Sequence, residues 1–194
     1  MKTEEDLKKD LDRLAKEIER FAKVDVPVIM GVEAVRFVRI NFEKEGFDSG
    51  SGVSTWKRRK RETRRTVGKR VLHNRGNLKS SIRYERTGNE IRVGVDGSAI
   101  PYAKLHNEGG TVAITAKMRA FFWAKYYEYG GKVKKDSKAK ASVAAQDEAN
   151  YWKSLALRKS PLQFPERKFL APSTRMWQMI NEEIEKRLRK NVRF

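Results

Sequence analysis

The chain has 194 residues, 39% of them apolar, and sets 44 Lys and Arg against 25 Asp and Glu, a formal charge of +19. A core can form at that apolar content despite a mean hydropathy of −0.76, and so large a cationic excess calls for an acidic partner: nucleic acid, an anionic membrane or acidic protein surfaces. With no cysteine and two histidines, disulfides, thiolate metal sites and a cysteine nucleophile are excluded, a multi-histidine metal centre is disfavoured and no cofactor is implied.

Residues 1–6 contain no apolar leader core. The most apolar stretch, 24–42, is interrupted by Asp25, Glu33, Arg36 and Arg39, too many charges for a membrane span. The chain is therefore expected to be made and kept in a cytoplasm, without a membrane partner.

Residues 3–23 are predicted to form an amphipathic helix. Thr3 is its N-cap, and Glu4, Glu5 and Asp6 stand in the first turn, where the helix dipole favours anions. Leu7, Leu11, Leu14, Ile18 and Phe21 step by four and three along one seam, expected to dock on the domain itself. Pro27 predicts a break and a second helix running to about Glu45, with Gly46 ending it. Glu33, Arg36 and Arg39 share one side of that helix, leaving an otherwise apolar, buried surface. Residues 48–52 read as a loop.

Trp56 is followed by Lys57, Arg58, Arg59, Lys60 and Arg61, then Arg64 and Arg65, and residues 57–92 hold 14 basic and 3 acidic side chains. This run is the strongest functional signal in the composition. It fits phosphate contact through coulombic attraction and counterion release, or an acidic protein surface, or a solvated helix face; five successive cations would encircle a helix rather than form a stripe. No motif for sequence-specific readout accompanies it.

A period-two pattern begins at Leu78 after Gly76-Asn77. Leu78, Ser80, Ile82 and Tyr84 fall on one face, and Ile91, Val93 and Val95 answer them across the turn Thr87-Gly88-Asn89. This predicts a β-hairpin over 78–96 with one wet face. Residues 101–108 are expected to make one or two helical turns closed by Gly109-Gly110, 111–115 a short strand, and 118–129 an aromatic-rich helix whose rings suit a core or subunit contact better than base stacking. Residues 130–142 read as a mobile excursion and 146–157 as a helix. Pro161 and Pro165 bracket a loop, and Ser173 opens a last helix with Glu182–Lys186, Glu183–Arg187 and Glu185–Arg189 as i,i+4 pairs. The fold class is α+β: an antiparallel hairpin-based sheet packed by N- and C-terminal helices. Residues 1–117 with 161–194 are expected to form a single domain and 118–160 a helical, partly mobile insertion.

No catalytic constellation emerges. His106 has Ser80, Ser81, Asp96 and Glu108 as nominal triad partners, but no spacing links them and no nucleophile-elbow motif is present.

Three ordered segments resemble the bacteriophage virion-morphogenesis, or tail completion, proteins of Mu-like phages and prophages. They are Val71-Leu72-His73-Asn74-Arg75-Gly76-Asn77-Leu78-Lys79-Ser80-Ser81-Ile82; Val93-Gly94-Val95 with Pro101-Tyr102-Ala103-Lys104-Leu105-His106-Asn107-Glu108-Gly109-Gly110; and Phe164-Pro165-Glu166-Arg167-Lys168-Phe169-Leu170-Ala171-Pro172-Ser173. With Phe42 and Trp56 upstream, the resemblance covers roughly residues 30–190. Arg75 stands where the family usually carries Thr, and residues 118–160 are longer than the family pattern. The resemblance implies a non-enzymatic structural protein acting late in assembly, at the tail end that meets the head, with a fold related to head–tail joining proteins that form rings. Its partners would be other tail and neck proteins, further copies of itself and DNA contacted without sequence preference, first in the host cytoplasm and then in the virion. The motif residues have physical work to do: Gly76, Gly109 and Gly110 turn the chain, Leu78 and Ile82 face the core, and Arg167 with Phe169 latches the C-terminal segment. The alternative is a standalone basic nucleic-acid-binding protein using 57–70. An enzyme such as a nuclease ranks last, because no acidic cluster with metal-binding spacing is visible.

Overall fold

The computed structural model describes residues 3–62, 66–88, 90–130 and 143–191. It is a mixed helix-and-sheet protein in two compact units, Met1–Gly109 with Pro165–Phe194, and Gly110–Phe164. Among the described residues the strands form three separate two-stranded antiparallel sheets, rather than one sheet built on a single hairpin.

The first unit begins with α1, Glu4–Arg20, capped as its sequence predicts: the Thr3 hydroxyl accepts from the Asp6 N–H, and the Asp6 carboxylate reaches back to the Thr3 N–H. The expected break at Pro27 is absent. A π-helical turn, Phe21–Asp25, carries α1 directly into α2, Val26–Lys44. Pro27 has no N–H to give the Lys23 carbonyl, and Arg86 fills the gap, donating to the Lys23 oxygen at 2.8 Å and the Val24 oxygen at 3.4 Å.

That continuity overturns the expected docking of the leucine seam. No residue of Glu4–Arg20 is buried, and Leu7, Leu11 and Ile18 are 53%, 65% and 44% exposed. At a rise of ~1.5 Å per residue, a straight helix carries Leu7 ~21 Å beyond Phe21, where the seam first becomes buried.

Helix α2 is the core element, burying Ile29, Ala34, Val35, Phe37, Val38 and Phe42 among others. Glu33 is buried as well, paired with exposed Arg36 at 3.2 Å. The helix ends with Glu45, not Gly46, in the left-handed conformation (φ 49°). Gly46 instead starts β1, Gly46–Asp48, which pairs with β2, Val53–Thr55. The expected loop at 48–52 is the connection of this hairpin.

A single helical turn, α3 (Asn77–Ser80), precedes β3, Ile82–Thr87, which pairs with β4, Glu90–Val95. The hairpin is present, but its first strand begins four residues later than the alternation suggests. Leu78 is buried from α3 rather than from a strand, and Ile91 and Val93 are half-buried. Tyr84, opposite Val93, lies so close to α2 that a Cβ on Gly31 would come within 2.3 Å of its ring. Helix α4, Ala103–Glu108, follows.

In the second unit, β5 (Gly110–Val112) pairs with β6 (Leu162–Phe164), a strand in what reads as a proline-bracketed loop. Between them, α5 (Ala116–Glu128) packs on α6 (Val143–Leu157), with Phe121 and Phe122 about the Trp152 ring at 5.9 and 6.0 Å. Phe122 is buried, while Phe121 and Tyr127 are about half exposed. Gly131 and the rest of the predicted mobile excursion to Ser142 lie outside the described residues.

The chain ends in the first unit with α7, Thr174–Asn191, which packs on α2. The Ser173 hydroxyl accepts from the Arg175 N–H at 3.1 Å and donates to the Asp48 carbonyl at 2.6 Å. Two of its three expected ion pairs form. The third does not: Lys186 turns to Glu183, and Glu182 pairs with Arg175 at 3.3 Å.

Candidate interaction site

The described part of the basic run, residues 57–61, does not lie on a helix. Residues 56–62 form an irregular segment, so the expectation of side chains encircling a helical axis does not apply. Lys57, Arg58, Lys60 and Arg61 are exposed, while Arg59 is half-buried and donates to the Lys69 carbonyl at 2.8 Å and to that of Arg70. Arg58 pairs with Glu45 at 3.7 Å. Glu45 also accepts from the Val71 N–H, tying the far end of the basic segment to the C-terminus of α2. Arg64 and Arg65 lie outside the described residues.

Beside this segment the motif residues converge although they are far apart in sequence. The Trp56 indole donates to the Lys168 carbonyl at 2.7 Å, and its ring and that of Phe169 flank Phe42 at 5.3 and 5.2 Å. The Arg167 backbone N–H donates to the His106 carbonyl at 2.9 Å, and its guanidinium Nε to the Lys57 carbonyl at 2.9 Å. Tyr102 meets the His106 ring edge-on at 5.7 Å, and Ala103 is buried. Gly76 (φ 82°) and Gly109 (φ 72°) occupy backbone conformations that a side chain would strain. Pro165 leads from β6 into this segment. Gly94 stands apart in β4 opposite Arg83, and Gly110 pairs with Phe164 in the second unit.

Two asparagines that the sequence did not single out as site residues hold the convergence together. Asn107 accepts from the N–H groups of Phe169 and Leu170, both at 2.9 Å, and donates to the Leu170 carbonyl at 3.1 Å. Asn41, fully buried, donates to the Phe169 carbonyl and accepts from the Asp48 N–H, both at 3.2 Å. Their only signal in sequence is a polar residue at a position otherwise spaced for burial, which for Asn41 is the apolar face of α2.

Arg59, Arg75, His106 and Arg167 line a cavity of about 470 Å³ whose apolar wall includes Leu72, Leu78 and Tyr102. Leu72 is held at φ 59°, an uncommon conformation for a branched side chain. Burial, then the neighbouring Arg167 charge, holds the His106 imidazole below its usual range. Burial, then Arg59, likewise lowers Arg167. Both shifts disfavour the cationic forms, chiefly through burial and secondarily through the neighbouring positive charge.

The nominal triad partners of His106 are engaged locally. Ser80 and Ser81 donate to the Asn77 and Leu78 carbonyls, Asp96 accepts from Ser98, and Glu108 pairs with Lys104. Among the described residues no group of three or more His, Asp or Glu is placed to hold a metal ion, and no helix is long and apolar enough to cross a membrane.

Residues 3–189 match the family model described as the phage virion morphogenesis family. Comparison with curated proteins and with solved structures gives no match.

Proposed function

Since the chain belongs to the phage virion morphogenesis family, we propose that it is a non-enzymatic structural protein of phage or prophage assembly that completes the tail at its junction with the head, as a homo-oligomeric ring. The observation that carries this reading is the match over residues 3–189, which spans nearly the whole chain. A charge of +19 per copy opposes premature self-association in dilute solution and suits a part placed beside packaged DNA and acidic neighbours. The protein then passes from the host cytoplasm into the virion, contacting other tail and neck proteins.

Light scattering and negative-stain microscopy of the purified protein test the ring. Repulsion between copies is screened as the Debye length falls from ~10 Å at 0.1 M salt to ~3 Å at 1 M, so larger species with ring profiles are expected to grow with salt and with protein concentration. A strict monomer under every condition would overturn the ring.

A second reading, a standalone nucleic-acid-binding protein, draws support from the exposure of Lys57, Arg58, Lys60 and Arg61 on an irregular segment, which can follow a phosphate backbone. It predicts binding without sequence preference that collapses with salt. Replacing Arg58, Lys60 and Arg61 by Ser should then flatten the log–log salt slope by about 2.7, at ~0.9 per phosphate contact. An unchanged slope removes this reading.

A further inference from the structure

Arg167 is 8% exposed, and among the described residues no carboxylate stands within 4.0 Å of its guanidinium, whose Nε meets only the Lys57 carbonyl. Arg59, on the same cavity, donates to the Lys69 and Arg70 carbonyls and, among the described residues, is paired with no acid. Arg75 is exposed on the cavity rim, and no hydrogen bond or ion pair to a described residue engages it. Buried guanidinium groups are ordinarily paired with an acid, because an unpaired charge removed from water is strongly disfavoured. One buried arginine, one half-buried and one exposed on the rim of a single cavity of about 470 Å³, with no acid paired to them among the described residues, make a receptor for an anion supplied from outside.

We propose that this cavity receives an acidic side chain from a partner protein: an Asp or Glu whose carboxylate meets the arginines while a neighbouring apolar side chain lies against Leu72 and Tyr102. Two observations favour a protein over nucleic acid. Duplex phosphates lie on a convex surface and are met by side chains that reach outward, whereas Arg167 is recessed. The apolar wall formed by Leu72, Leu78 and Tyr102 also matches an aliphatic neighbour and offers nothing to a phosphodiester. The proposal rests on the assembly reading only in taking the partner to be another virion protein.

Fluorescence anisotropy on the full-length protein tests the pocket with three probes: a short blocked peptide of alternating Glu and Leu, the same peptide with Gln for Glu, and a random-sequence DNA duplex. The Glu peptide is expected to bind about tenfold more tightly than the Gln peptide, and Arg167→Met to abolish that preference. If Arg167→Met does not fold, Arg75→Ser decides instead, since Arg75 is exposed and bonded to no described residue. It should weaken the Glu peptide about fivefold while leaving duplex binding within about twofold. Equal binding of the two peptides, or a Glu-peptide affinity untouched by Arg75→Ser, overturns the proposal. A loss confined to the duplex overturns it too, and assigns the pocket to a phosphate. Rings seen without peptide binding would retain the assembly reading and discard the pocket; peptide binding by a permanent monomer would do the reverse.

Discussion

Ile82→Asp is expected to abolish the cooperative unfolding transition of the first unit. Ile82 is 2% exposed, opens β3 opposite Val95, and belongs to the cluster that includes Val38, Phe42, Leu78 and Phe169. Truncating such a side chain alone removes about 2–5 kcal/mol, and the aspartate adds a carboxylate for which the surrounding cluster offers only apolar neighbours. Against a total stability of about 5–15 kcal/mol for a domain, the sum leaves little or no folded population. Ile82→Val, which keeps the shape, should lose only about 0.5–1.5 kcal/mol and retain a single transition. Calorimetry of both variants distinguishes the cases, and an Asp variant with an unchanged melting curve would show that Ile82 is not in the core.

Asn107→Ala is expected to destabilise the first unit by about 2–4 kcal/mol, because two N–H groups and one carbonyl lose their partner in a half-buried setting. Asn107→Asp keeps the acceptor for the Phe169 and Leu170 N–H groups but sets a carboxylate oxygen against the Leu170 carbonyl in place of the donated bond, so it should recover only part of the loss. Urea titration of the three proteins provides the measurement. Equal midpoints for wild type and Asn107→Ala would mean that the contacts of Asn107 across 62 and 63 residues contribute nothing to stability.

The helices were legible because their period is local. The Thr3–Asp6 cap, the buried face of α2 and the α5 and α6 segments can each be read from residues a few positions apart. The alternation that marks β3 and β4 is local too, though it extended the strand back over α3, since Leu78 is apolar and in phase for either conformation. Strands β1, β2 and β6 have three residues each, too few for alternation to show, whereas the short strand expected at 111–115 forms as β5 at Gly110–Val112. Pro27 misled for a different reason: the carbonyl that the proline leaves open, that of Lys23, is bonded by Arg86, 63 residues further along the chain. Of the candidate site, the cationic run was visible as composition. Its irregular backbone, the inward turn of Arg59 and the pairing of Asn107 with the chain after Pro165 arise from contacts between distant segments, which neither periodicity nor residue spacing encodes.

The pairing of Gly110 with Phe164 has a consequence for how this chain can vary. The second quoted motif ends at Gly110 and the third begins at Phe164, so everything between is bounded by neighbours across one antiparallel ladder. A segment whose ends already meet can lengthen or shorten without moving them, and the closure entropy changes by only ~0.6 kcal/mol for each doubling of its length. Positions between those two strands are therefore where a lineage can add or discard material while its anchoring motifs stay in register. They are equally where an affinity tag or a reporter domain could be spliced into the chain.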